Sequence, residues 1–403
     1  PTAVYLGPKS GCQLHQGDTI VVRDEPIATS ATPQRTKQVS QCVDEILSRD
    51  FSEEGFHANQ TRAVVVSHKG VIVGERYQDR MGIDRDTRLL GWSMTKSVHS
   101  AIVGAAIQAG MIHLNTPVKL SDLSESHRNQ LLAMNGGVPL TFSDLLQMKD
   151  ILLMEEKYGI FDDVSTMLYG SPDAGKFASS QGKKSVPSIV PSSEYSSSGN
   201  HNGTFGWYYS SGVSNILARE LRNLFSSDEE YRAFPHSHIF SRIGANSFAI
   251  EMDSAGTLVA SSFAYATARD WSLLGELFLR GGEWEGDQVL PAEFVKFVQQ
   301  PHPHSGGHYG GHFWLNPARV SVADYNELPL DHPEKKKKAW MTQVLPRDAY
   351  AMNGYLGQTT LIIPSRDTVI VRLAFTPDPA EGKQPKWDPK VFYGGILDCL
   401  NVR

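Results

Sequence analysis

β-rich runs stand at both ends of this chain and helical periodicity fills the middle, an order that restricts the fold more than any other feature. Near the N-terminus, residues Arg62–His68 and Val71–Tyr77 are rich in β-branched side chains and are joined by His68-Lys69-Gly70, the signature of a hairpin. Near the C-terminus the runs Tyr350–Gly354, Thr359–Ile363 and Thr368–Phe375 repeat this character, with Pro364-Ser365-Arg366-Asp367 as a turn among them. Between the two ends, residues 110–290 read as mainly helical. There Phe142-Ser143-Asp144-Leu145-Leu146 and Thr267-Ala268-Arg269-Asp270-Trp271 each place a polar cap before apolar periodicity. The two ends are therefore expected to pair into one mixed, mainly antiparallel sheet flanked by helices and carrying a large, mainly helical insertion, an α/β (α+β) fold.

The expected division is an N-terminal arm and helix over residues 1–55, packing on a body over 56–403, with about 110–340 forming the helical lobe between the sheet halves. The arm helix is read from Val39, Cys42, Val43, Ile46 and Leu47, which fall on one stripe, and Val391–Leu400 is expected to close the chain as a helix. The segment Gly175–Asn202 is rich in Ser, Gly and Pro and reads as a long surface loop or a lid over a cleft.

With 403 residues, 40% hydrophobic and 20% charged, the chain has the composition of a globular protein with a sizeable core. A net charge of −6 gives no general reason to expect nucleic acid as a partner, and no run of eighteen apolar residues is present to span a membrane. The chain starts at Pro1, as expected of a processed or trimmed polypeptide. Its three cysteines, Cys12, Cys42 and Cys399, are too few for a disulfide framework and lack metal-ligand spacing. Cys12 and Cys42 share the N-terminal flank, where they either pair in an oxidising compartment or stay free.

The chemistry starts at Ser93-Met94-Thr95-Lys96. Helical residues three apart share a face, so the Lys96 amine can reach the Ser93 hydroxyl. The following positions, Ser97, Val98, Ala101, Ile102, Ala105, Ala106 and Ile107, carry few charges and place this helix inside the body. A lysine there is desolvated, its pKa falls, and the neutral amine can take the serine proton. A second segment, Trp207-Tyr208-Tyr209-Ser210-Ser211, offers a tyrosine for proton transfer. A third, Asn353-Gly354-Tyr355-Leu356-Gly357-Gln358, offers glycines that admit a ligand close to backbone, and the Gln358 N–H with that of Ser93 is the candidate oxyanion hole. His302, His304, His308 and His312 cluster among prolines and glycines, and no metal is expected at that irregular loop. Lys335–Lys338 reads as a solvated charge run, and His99, too far round the helix from Ser93 to serve as its base, as a core or cleft-wall residue.

In this order the segments resemble the serine β-lactamase and penicillin-binding-protein superfamily, in its class C and esterase branch, over roughly residues 55–400. Ser93-x-x-Lys96 is similar to the family's S-x-x-K. Tyr209-Ser210-Ser211 stands where the family has Y-x-N or Y-x-S, and Tyr355-Leu356-Gly357 where it has K-T-G or H-x-G. Tyr209 is preferred to Tyr208 because counting seven and eight residues onward from it reaches the apolar pair Ile216 and Leu217. The resemblance implies a β-lactamase/transpeptidase-like fold and a serine hydrolase working through an acyl-enzyme without a cofactor. It assigns Ser93, Lys96 and Tyr209 as catalytic, Ser93 and Gln358 as oxyanion donors, and Ser211, Tyr355 and Gly357 as substrate-binding. In motif style the chain looks most like the 6-aminohexanoate-dimer hydrolases and related carboxylesterases. Tyr355 replaces the positive group that would bind a substrate carboxylate, which favours a small amide or ester as substrate. The alternatives are D-alanyl-D-alanine carboxypeptidase or β-lactamase activity, or a slow-turnover penicillin-recognising module. A further departure is Asp150-Ile151-Leu152, after the helix containing Met148, where the family has a Gly-Leu pair, so the cleft wall there is expected to differ. Resemblance to secreted bacterial relatives implies an extracytoplasmic location, and with it oxidation of Cys12, to Cys42. The oligomeric state is left open.

Overall fold

A computed structural model describes residues 3–5, 33–53, 55, 60–149, 151–152, 154–181, 206–316, 344–376 and 388–401. Cys12, most of the N-terminal arm, the Lys335–Lys338 run and the greater part of the expected 175–202 loop lie outside them.

Both chain ends do meet in one sheet. Strands β2 (Thr61–His68) and β3 (Val71–Tyr77) form the N-terminal hairpin, whose turn puts Lys69 and Gly70 at positive φ. The C-terminal run supplies β10 (Tyr350–Gly354), β11 (Gln358–Ile363) and β12 (Thr368–Ala374). With the short β9 (Trp314–Leu315), they make a six-stranded sheet in the order β3-β2-β12-β11-β10-β9, antiparallel throughout. The joint between the ends is β12 against β2, from Thr368 opposite His68 to Ala374 opposite Thr61.

Two cores cover the two faces of this sheet, and alternation along the strands assigns residues to them. On β2, Val64 and Val66 pack with Ile370 and Leu361 beneath α1 (Pro33–Asp50), which contributes Val39, Val43 and Leu47, and beneath the C-terminal helix Pro389–Leu400, which contributes Phe392, Tyr393 and Ile396. Ala63 and Val65 point the other way, joining Val369, Val371 and Leu373 in a larger core. That core is filled by α2 (Met94–Gln108), α3 (Ser211–Arg222) and α4 (Ala268–Leu279). Burial on both faces is why the strands read as nearly unbroken apolar runs. Further helices, among them Glu125–Met134, Asp228–Pro235 and Ala292–Val298, complete the middle lobe. This arrangement of a mainly antiparallel sheet, flanking helices and helical insertion is the one expected.

Three particulars differ. The expected helical stretch 110–290 also holds β5 (Ala249–Met252) and β6 (Ala264–Ala266), which with β1 (Ala3–Tyr5) and β4 (Leu89–Leu90) make a second, four-stranded sheet. Strands of two to four residues are too short to leave a periodic signal. The start of the expected loop is a helix, Ala174–Ser180, capped by the Asp173 carboxylate accepting from the Lys176 N–H. Cys42 is bonded to Cys399, with a Cα–Cα distance of 5.6 Å, so the expected pairing with Cys12 is corrected. The reason is tertiary: Cys42 on α1 faces the C-terminal helix, a neighbour 357 residues away in sequence. No described helix is long and apolar enough to cross a membrane.

Candidate active site

The turn from β4 into α2 presents Ser93. Gly91 tucks against Trp271, where a β-carbon would stand 2.4 Å from Cζ2, so only glycine fits. Trp92 then adopts φ 48°, an unusual conformation for a bulky residue, and Ser93 opens the helix from its N-cap position. One turn on, Lys96 is 1% exposed. Its Nζ lies 3.1 Å from Ser93 Oγ, 3.1 Å from Ser211 Oγ and 3.0 Å from the Ser261 carbonyl oxygen. Burial lowers the Lys96 pKa to about 8, against an opposing pull from the Glu156 charge.

The second segment arrives with α3. Ser210 caps this helix by accepting from the Val213 N–H, and Ser211 occupies its first position. The Tyr209 ring lies beneath Lys96 with Nζ 4.7 Å from its centroid, a cation–π contact. Tyr209 in turn stacks on Trp314 at 5.3 Å and meets Tyr309 edge-on at 5.7 Å. Tyr208 turns away, its hydroxyl accepting from the Glu156 N–H at 2.6 Å. The two tyrosines are thus separated, and Tyr209 is the one against the lysine.

The third segment ends β10 and begins β11. Gly354 approaches the Gly91 carbonyl so closely that a β-carbon would stand 2.1 Å from its oxygen, which brings the turn carrying Ser93 to this strand end. Tyr355, 47% exposed, meets the edge of Trp92 at 6.1 Å. The Gly357 carbonyl accepts from buried Arg372, and the Gln358 side chain donates to the Tyr355 and Ala374 carbonyls and accepts from the Ala374 N–H. These bonds fix the loop's shape from below. Trp92, next to Ser93 in the chain, belongs to a row of rings: Tyr169, Phe263, Trp92 and Tyr355 follow one another at 5.8, 6.2 and 6.1 Å between ring centroids.

The fold therefore draws Ser93, Tyr209 and Ser211 around the Lys96 amine, with Tyr355 against the neighbouring Trp92. Two further groups bear on that amine, one directly and one through Ser211, and neither belongs to a sequence motif. One is the Ser261 carbonyl, in the loop between β5 and β6. The other is Glu156, whose Oε1 accepts from Ser211 Oγ at 2.5 Å and whose Oε2 accepts from the Ser211 N–H at 2.8 Å. The only local signal for it is the departure from family pattern that begins at Asp150 and marks this wall as different. His312 braces α2: its Nδ1 lies 3.1 Å from the Lys96 carbonyl oxygen, and Ser97 and Ser100 donate to the carbonyls of His312 and Gly311. Burial holds His312 well below the usual imidazole range and His99 at about 3, so both are neutral. Among the described residues no group of three or more His, Cys, Asp or Glu is arranged to hold a metal ion.

No family model matches the chain. An uncharacterised protein of Alkalihalophilus pseudofirmus is 27% identical over 140 residues, which is 34% of this chain and 37% of that protein. Solved structures match over far more of the length. A Bacillus anthracis protein provisionally named a 6-aminohexanoate-dimer hydrolase superposes with a TM-score of 0.58 at 19% identity, covering 87% of this chain and 81% of that one. An octameric penicillin-binding protein homologue from Pyrococcus abyssi gives 0.58 at 14% identity, covering 89% and 77%. A family VIII carboxylesterase gives 0.56 at 13% identity, covering 92% and 99%. Sequence identities this low speak to architecture, and the architecture is the one the three motifs pointed to: the chain has the fold of the serine β-lactamases and penicillin-binding proteins.

Proposed function

We propose that the protein is a serine hydrolase that cleaves a small ester or amide through an acyl-enzyme on Ser93. The observation that carries this reading is the Lys96 amine, buried, 3.1 Å from Ser93 Oγ and with its pKa lowered to about 8. A neutral amine at that distance accepts the Ser93 proton as Oγ bonds to the substrate carbonyl carbon. The Ser93 and Gln358 N–H groups would hold the oxyanion, and Lys96 with Tyr209 would pass the proton to the leaving group. Water then attacks the acyl carbon and gives its proton to the same amine, which returns a proton to Ser93 Oγ as the acyl bond breaks.

The walls favour an uncharged, apolar acyl or leaving group. Tyr355 occupies the position where the family carries a cation, and Arg269 is engaged elsewhere, bidentate to Glu75 at 2.8 and 2.5 Å. The aromatic row from Tyr169 to Tyr355 offers ring faces and edges to such a group. Intact-mass analysis with a fluorophosphonate tests the assignment. A single adduct on Ser93, lost in Ser93→Ala together with hydrolysis of p-nitrophenyl esters, is the expected result. Hydrolysis by Ser93→Ala within tenfold of the parent would overturn it.

A further inference from the structure

The polar contacts of Lys96 carry one more consequence. An amine is a base only if its lone pair points at the proton it takes, and Lys96 Nζ has three oxygen neighbours competing for its three non-carbon positions. Two of these neighbours are decided by chemistry. The Ser261 carbonyl has no hydrogen and can only accept. Ser211 Oγ is ambiguous on its own, since a hydroxyl both donates and accepts. Its partner on the far side resolves the ambiguity, because the Glu156 carboxylate accepts only and lies 2.5 Å away. The Ser211 hydrogen must point to Glu156, and Ser211 must then accept from Lys96. The one position left on Nζ faces Ser93.

We infer that Glu156 is a positioning residue for catalysis, which fixes the polarity of the Glu156–Ser211–Lys96 chain so that the lysine lone pair is directed at Ser93. The inference rests on the reading of Ser93 as nucleophile. Glu156 is itself held for this task. Its Oε1 also accepts from the Tyr158 hydroxyl at 2.6 Å, its Oε2 from the Ser211 N–H at the start of α3, and its own N–H donates to Tyr208. An anion at a helix N-terminus is electrostatically favoured, so the carboxylate suits the place as well as the partner.

Replacing the carboxylate by an amide reverses the chain. In Glu156→Gln the Ser211 N–H still needs an acceptor and takes the amide oxygen. The amide NH2 then faces Ser211 Oγ and donates to it. The Ser211 hydrogen is driven toward Lys96, where it competes with Ser93 for the lone pair. The charge lost has a second effect with a definite sign. The Glu156 anion favours the ammonium form of Lys96, so removing it moves the deprotonation of Lys96 to lower pH. The other titratable groups facing the lysine are Tyr209, beyond it Tyr309 and Tyr158, and the histidines His312 and His99. Burial keeps both histidines neutral and pushes the Tyr309 phenol up, so none of these three changes charge near neutral pH.

The test is the rate of fluorophosphonate capture by the full chain, followed by intact mass across pH 6 to 10, for the parent, Glu156→Gln, Glu156→Asp, Ser211→Ala and the Glu156→Gln/Ser211→Ala double variant. Glu156→Gln should lower the plateau rate roughly 10- to 100-fold. It should also move the midpoint of the rise to lower pH, with the melting temperature held. Glu156→Asp, which keeps the acceptor, should recover part of the rate. In the Ser211→Ala background Glu156→Gln should cost no further plateau rate, because the hydroxyl through which polarity is transmitted is gone. A Glu156→Gln plateau and midpoint equal to the parent's would overturn the inference. So would an equal loss with and without the Ser211 hydroxyl. A parent that takes up no label on Ser93 would overturn the underlying reading instead, and the inference with it.

Discussion

Gly354 stands against the Gly91 carbonyl at a distance that no side chain permits, a β-carbon on Gly354 falling 2.1 Å from the Gly91 oxygen. The contact ties the strand end that carries Tyr355 and Gln358 to the turn that presents Ser93. Relief of such an overlap with backbone requires one of the two segments to move. Gly354→Ala is therefore expected to lower kcat/KM for ester hydrolysis by at least tenfold, since a shift of about 1 Å can cost roughly a hundredfold. Steady-state kinetics alongside thermal denaturation separates this from unfolding, and an unchanged kcat/KM in a folded variant would refute it.

The lysine sets the pH response. With its pKa at about 8, Lys96 is mostly ammonium at pH 6 and mostly neutral at pH 9. The acylation rate should climb with pH through a midpoint near 8 and level off above about 9, the rise following the amine rather than a histidine. Lys96→Ala should abolish the rise and lower activity nearly as far as Ser93→Ala. The double variant should be no worse than the worse single, because the two groups act as one unit. A pH–rate profile of capture and hydrolysis checks both points.

The Cys42–Cys399 bond clamps α1 to the C-terminal helix on the sheet face opposite α2. Because it joins residues 357 positions apart, the chain-entropy argument puts its contribution at no more than about 6 kcal/mol. The Cys42→Ser/Cys399→Ser pair should lower the melting temperature measurably while leaving kcat within about twofold, since the bond lies away from Ser93. Alkylation of denatured, unreduced protein should modify no more than one thiol per chain, and modification of all three cysteines would refute the pairing.

Specificity should turn on Tyr355. With no cation at that position, p-nitrophenyl esters and short linear amides are expected to exceed penicillins and cephalosporins in kcat/KM. Tyr355→Lys supplies a charged donor beside Trp92, and a charge-assisted hydrogen bond is worth about 1.5–3 kcal/mol, or roughly ten- to a hundredfold. The ratio of carboxylate-bearing to neutral substrates should rise by that order. Competition kinetics reads the ratio directly, and efficient β-lactam hydrolysis by the unmodified chain would refute the expected substrate class.

Whatever depends on neighbours along the chain is legible from the order of residues. β-Branched runs bounded by turn residues gave the strands at both ends, helical spacing put Ser93 and Lys96 on one face of a buried helix, and the Thr267 cap placed α4 where it begins. Periodicity and capping are local, so one sequence suffices to read them. The tertiary structure alone decided which distant residues meet. Glu156 touches Ser211 across 55 positions, the Ser261 carbonyl reaches Lys96 across 165, and Cys42 finds Cys399 rather than Cys12. A carboxylate in an aperiodic loop and a backbone oxygen in a turn have no spacing to betray them. Their part in the site arises only when the packing of α2, α3 and the second small sheet brings them to the same amine.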